Sequence, residues 1–159
     1  MNNPASWQSM LGQSLGHSDW FSIDQQRINH FADVTEDQQY IHVDPEAAAQ
    51  SAFGGTIAHG YLTLSLFPNM MYALVAPYRR ADSTMVNYGS NKLRFLNPVK
   101  CGARIRLHMS LAAITEKSPS NTLLTFNTSM EIEGETTPAF VAENLLMVID
   151  EGEDKNQSA

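Results

Sequence analysis

One cysteine, Cys101, stands among 159 residues. A lone thiol builds neither a disulfide framework nor a cysteine-rich zinc cluster, so the chain suits a reducing compartment. Charge is also sparse: 17% of residues are charged and 43% are apolar, with a net charge of −7. That composition favours a folded chain over a disordered one. The excess of acid argues against nucleic acid or an anionic membrane as the main partner. No apolar run is long enough for a transmembrane helix. The opening MNNPASWQSMLGQSLGHS lacks the basic leader and unbroken apolar stretch of a secretory signal. A cytoplasmic protein is the expectation. There is no internal repeat, low-complexity tract or linker. The length suits a single domain over 1–159 with a real core, in which the polar EGEDKNQSA at 151–159 is expected to fray.

What charge there is lies unevenly. Residues 1–50 hold seven acids and one base, Arg27. Residues 79–106 hold seven of the ten bases (Arg79, Arg80, Lys92, Arg94, Lys100, Arg104, Arg106) against one acid, Asp82. Such a stretch either binds a phosphorylated small molecule or is a set of solvated strand residues.

The first half reads as helical. In SIDQQRINHFADV, Ser22 and Gln25 have capping-box spacing, and Ile28, Phe31 and Ala32 share one helical face. Asp44-Pro45 supplies an N-cap and an N1 proline for a short helix, PEAAAQS. After the tight turn FGGTIAHG, the segment YLTLSLFPNMMYALV is apolar nearly all round, which predicts a buried helix. Pro68 should kink or restart it, since an interior proline costs about 3 kcal/mol. From about residue 84 the period becomes two. Ile105, Leu107, Met109 and Leu111 share a strand face, and so do Leu124, Phe126, Met130 and Ile132. MVNYGSNKLRF and PAFVAENLLMVI complete a set of long strands, and short links such as EKSPSN and EGETT predict antiparallel hairpins. A sheet with one apolar face and one very apolar helix gives an α+β domain in which the sheet wraps the helix.

Asp37 and His42, in EDQQYIHVDP, are the residues suited to proton chemistry. Five helical residues turn about 140° out of register, so the pair can cooperate only across a bend. Thr35-Glu36-Asp37-Gln38 resembles a local turn. Taken alone, a turn-capping Asp and a hydrogen-bonded His are the commoner arrangement. The AHG at 58–60 adds a third element: the Gly60 N–H lies at the start of the buried helix, where glycine lets a ligand approach and the donor can hold developing negative charge. It also reads as a plain turn glycine.

FADVTEDQQYIHVDPEAA, with FGGTIAHGYLTLSL behind it, resembles the MaoC-like (R)-specific enoyl-CoA hydratases, and NYGSNKLRFLNPV is similar to their NodN-like branch. The resemblance runs from about LGHSDW to the last strand. It implies a hot-dog fold, a long antiparallel β-sheet around a buried central helix, paired as a homodimer. It also implies a reaction, reversible hydration of trans-2-enoyl-CoA to (R)-3-hydroxyacyl-CoA, with an acyl-CoA thioester as substrate and no cofactor. Asp37 and His42 would be the catalytic dyad and Gly60 the oxyanion donor. Where the broader family has Asn-Pro between acid and His, this chain has Gln39-Tyr40, which leaves the shape of the acyl pocket open. Neither chain length nor pathway, whether β-oxidation or polyester-monomer supply, is set by these residues.

The remaining candidates carry less. His59 is expected to be structural at the helix start, with substrate contact the lesser reading. Asn87 and Asn91 are expected on one strand face with Gly89 between them, where they bond the dyad or pantetheine or are simply solvated; Arg94 follows among the bases that could hold the CoA phosphates. His17, His30 and His108 read as surface or satisfied residues, Asp44 as a cap, and Ser65 as bonded to its own backbone. Cys101 has no partner base. Met70 and Met71 read as gap-filling core residues or as lining of an acyl tunnel. Asp37, His42, Asp44 and His59 match no standard metal-ligand spacing. Two other functions stay open: an acyl-CoA thioesterase of the same fold, and a non-catalytic acyl-CoA binder.

Overall fold

The computed structural model describes residues 6–150; the tail expected to fray lies outside them. A 3₁₀ turn, Trp7–Met10, leads into strands β1 (Ser14–His17) and β2 (Phe21–Ser22). Helices α1 (Gln25–Thr35), α2 (Tyr40–Val43), α3 (Pro45–Ala49), α4 (Gly60–Ser65) and α5 (Phe67–Val75) follow, then strands β3 (Ser83–Phe95), β4 (Arg104–Ser118), β5 (Asn121–Ile132) and β6 (Phe140–Asp150).

The four long strands stand where the period-two pattern puts them. They join an antiparallel sheet of order β1-β4-β5-β6-β3, with β2 also on β4. Alternation decides which face is buried. Ile105, Leu107, Met109 and Leu111 of β4, Leu124, Phe126, Met130 and Ile132 of β5, and Phe140, Ala142, Leu146 and Val148 of β6 are all buried. They share one core with Phe67, Met70, Met71 and Val75 of α5. The buried polar side chains of β5 and β6 on this face bond each other: Asn144 Nδ2 donates to Thr128 Oγ1 at 2.9 Å, and Thr128 donates to the Ala142 carbonyl. The architecture is the hot-dog fold, a sheet laid around a central helix.

The outer face of the sheet carries cross-strand ion pairs. Arg104 pairs with Glu133, and Arg106 and His108 share Glu131. Arg80 pairs with Asp82 and Lys92 with Glu143. Four of the seven bases of the basic stretch are thus matched to acids.

Three expectations change. The first half is not purely helical: β1 and β2 pair with β4. SLGH gave no warning, because β1 is too short and too exposed to show an alternating pattern. Helix α1 begins at Gln25, capped by Asp24, whose Oδ1 accepts the Arg27 N–H at 2.8 Å. Ser22 and Gln25 therefore form no capping box. The central helix does break at Leu66 beside Pro68, but it is not buried all round. Tyr61 and Tyr72 are 65% and 54% exposed, so only one side faces the sheet. Asp44 is the N-cap of α3, as its place before Pro45 predicts.

Candidate active site

Helix α1 ends at Glu36, which takes a left-handed conformation with φ 60°. The chain turns there, passes through Asp37, and starts α2 after Gln39. This is the bend that the Asp37–His42 spacing requires.

His42, in the last turn of α2, is buried. Its Nδ1 lies 2.7 Å from the Ile57 carbonyl oxygen. A carbonyl only accepts, so Nδ1 carries the hydrogen and Nε2 presents a lone pair. The backbone around it is clamped. Ile57 N–H donates to the Ile41 carbonyl, while Ala58 N–H and the Thr56 carbonyl bond Val99 and Cys101 of the segment beyond β3. Gln25, expected in a capping box with Ser22, instead reaches from α1 to the His42 carbonyl at 2.7 Å and accepts from Thr56 Oγ1 at 2.5 Å.

A carboxylate oxygen of Asp37 and ring nitrogens of His42 and His59 all lie within 4.8 Å of one another. One water can bridge such a pair: two hydrogen bonds of about 2.8 Å meeting at a tetrahedral angle span about 4.6 Å. Asp37 is half-exposed, its side chain 54% accessible, whereas His42 and His59 are buried. The carboxylate thus meets the imidazole from the solvent side.

Burial lowers the His42 pKa below the ordinary histidine value. The Ile57 hydrogen bond opposes this, the neighbouring His59 adds to it, and the Asp37 charge opposes it. The unfolded chain therefore takes up this proton more readily than the folded one, and stability is lost as pH falls from about 6.5 toward the lowered folded value. A series of thermal midpoints across that range should slope downward toward acid, and the slope should flatten in His42→Asn. An unchanged slope would contradict this account of the imidazole.

His42 and Gly60 line a cavity of about 370 Å³ together with Phe53, Ile57, Thr63 and Phe95. Gly60 is the first residue of α4, so its N–H has no partner within the helix. A Cβ on Gly60 would come within 2.9 Å of the Phe95 ring, so glycine here lets an aromatic side chain lie against the backbone. Asp37 is not among the lining residues. The cavity joins two of the three expected groups, and the third reaches it through the imidazole.

The other candidates lie elsewhere. Gln39 and Tyr40 are exposed at the start of α2 and do not line the cavity. Asn87 and Asn91 do not share a face. A bulge interrupts β3, so that Asn87 pairs with Leu146 and Gly89 with Leu145; one extra residue reverses the alternation. Asn87 falls on the inner face, beside Ser90 and Asn144, and Asn91 on the outer face opposite Glu143. A second bulge leaves Arg94 opposite Val141, also outward, bonded to the Leu93 carbonyl. Ser65 bonds back to the Leu62 carbonyl, and His108 is held by Glu131. Met70 and Met71 belong to the core rather than to this cavity.

His59 is the site residue whose placement sequence reasoning least anticipated. Its ring stacks on His42 with centroids 3.7 Å apart and planes inclined by 21°, and its Nε2 lies 3.0 Å from the Asp37 carbonyl oxygen. The Asp37–His42–His59 group has a metal-like composition. One nitrogen of each ring is engaged with a carbonyl.

Comparison with known proteins agrees with the fold and with the motif. Residues 6–130 match the family described as MaoC like domain. Nodulation protein N of Rhizobium leguminosarum bv. viciae is 45% identical over 135 residues, 84% of this chain and 83% of that protein. The 3-hydroxyacyl-thioester dehydratase Z of Mycobacterium tuberculosis is 41% identical over 145 residues, 91% of this chain and 95% of that one. The (R)-hydratase from A. caviae involved in PHA biosynthesis superposes with a TM-score of 0.68 at 26% identity, over 82% of this chain and 93% of that one.

Proposed function

The chain belongs to the MaoC-like dehydratase family, and from that premise we propose that it is an (R)-specific enoyl-CoA hydratase, a hydro-lyase that interconverts trans-2-enoyl-CoA and (R)-3-hydroxyacyl-CoA. The observation that carries this reading is the His42 imidazole, hydrogen-bonded at Nδ1 by Ile57 and within reach of the Asp37 carboxylate, on a cavity it shares with Gly60.

The chemistry uses three groups. One water bound between Asp37 and His42 gives up a proton as its oxygen bonds to C3. The electrons of the C2–C3 double bond move onto the thioester oxygen, which the Gly60 N–H holds. A proton then returns to C2 as the carbonyl re-forms. Asp37 and His42 exchange base and acid roles. Nothing in the step requires a cofactor.

Two features of the assembly follow from the same reading. Among the described residues β3 is the last strand of the sheet and carries the exposed Val86 and Tyr88, which suits a second copy in a homodimer. Lys100 follows the cavity-lining Val99 and suits the CoA phosphates.

Crotonyl-CoA tests the proposal. Loss of the conjugated enoyl absorbance with an (R)-3-hydroxybutyryl-CoA product is the expected result. Release of free thiol, read by a thiol-trapping reagent, would indicate the thioesterase instead. Binding without turnover across a chain-length series would make the protein an acyl-CoA binder.

A further inference from the structure

The buried ring of His59 has no place in the chemistry just described, yet it contacts both groups that perform it. Its Nε2 faces the Asp37 carbonyl, which only accepts, so Nε2 carries the hydrogen and donates it at 3.0 Å. Its ring contacts two others: His42 stacked at 3.7 Å, and Phe31 of α1 tilted by 53° with centroids 5.1 Å apart. The second nitrogen, Nδ1, is buried and has no hydrogen-bond partner. A buried polar atom left without a partner is costly, and a ring serving only to start α4 would not require one. As N-cap of α4, His59 makes no side-chain capping bond. Its polar reach goes to the Asp37 loop instead.

We propose that His59 is a positioning residue for both halves of the proton-transfer pair: its N–H fixes the Asp37 loop through the main chain, and its ring fixes the plane of the His42 imidazole. This rests on the dyad reading above. Asp37 needs such a hold because its side chain is half-exposed and follows a left-handed turn at Glu36. His42 gains from the same contact, since a stacked ring allows it little freedom to tilt. The titratable groups whose charge acts on His42 are His59 and Asp37; α1 presents the neutral Gln25.

Two substitutions separate the parts. His59→Phe keeps a ring for the stack and removes the donor. His59→Gln keeps an N–H near the position of Nε2 and removes the ring. With crotonyl-CoA, His59→Phe should lower kcat by about 10²-fold, the scale of a misplaced reacting group, with KM within about twofold. His59→Gln should recover about tenfold of that loss. Both should move the His42 titration, followed by histidine NMR, to higher pH, because His59 opposes protonation of its neighbour. The acid limb of kcat/KM should move with it. Native kcat in His59→Phe, or a loss confined to thermal stability with the His42 titration unmoved, overturns the proposal. If the native protein hydrates no enoyl-CoA, it is the hydratase reading that fails. The Asp37 backbone amide shift still tests the tether, which stands if that signal moves in His59→Phe more than in His59→Gln, and falls if it does not.

Discussion

His42→Asn is expected to lower kcat for crotonyl-CoA hydration by about 10²–10⁴-fold, the range general acid–base catalysis supplies. Asparagine is the informative replacement. Its amide nitrogen lies where Nδ1 lies, so it can still donate to the Ile57 carbonyl and avoid leaving that buried oxygen unpaired. What it lacks is the second nitrogen, the one that would bind water. Asp37→Asn should lose activity on a similar scale, and it keeps the shape of a half-exposed side chain. Surface changes of that kind usually shift stability by less than about 0.5 kcal/mol. Thermal unfolding of Asp37→Asn should therefore stay near the native curve while turnover falls. Rates near native in both would remove Asp37 and His42 from the mechanism.

Gly60→Pro should lower kcat by about 10²–10³-fold relative to Gly60→Ala, the cost of one missing oxyanion donor in a known protease case. Proline is tolerated at the first position of a helix, where the N–H has no intrahelical partner. The residue before it is already suitable: His59 has φ −57° and ψ 137°, the extended range that a following proline favours. Gly60→Ala is the control for crowding. Its Cβ would come within 2.9 Å of the Phe95 ring, and Phe95, 43% exposed, has room to swing away. Alanine thus tests the altered cavity wall with the donor present, and proline removes the donor. Equal rates in the two variants would mean that the Gly60 N–H stabilises nothing in the reaction.

Local pattern made the four long strands, the hairpins, the Asp44 cap and the break beside Pro68 legible in the sequence, because each depends on neighbours a few residues apart. The Asp37–His42 bend was legible only as a requirement; the left-handed Glu36 that supplies it carries no sequence signature. Register was the main thing hidden. One extra residue in β3 sends Asn87 inward and Asn91 outward, and nothing in VNYGSN marks which residue bulges. Long-range contacts were hidden for the same reason. Gln25 reaches His42 across 17 positions, and Phe95 lies on Gly60, contacts that exist only once distant segments have packed together. The basic stretch looked like one patch, but cross-strand pairing gives Arg104 and Arg106 their acids from β5 and its end.

The central claim is that Asp37 and His42 act on one water as a unit. A double-mutant cycle on kcat/KM for crotonyl-CoA, with Asp37→Asn, His42→Asn and the two combined, tests it most directly. Groups that share a single reacting molecule are strongly non-additive, so the double variant should be about as slow as the slower single variant. Losses that multiply would mean two independent roles, and no shared water.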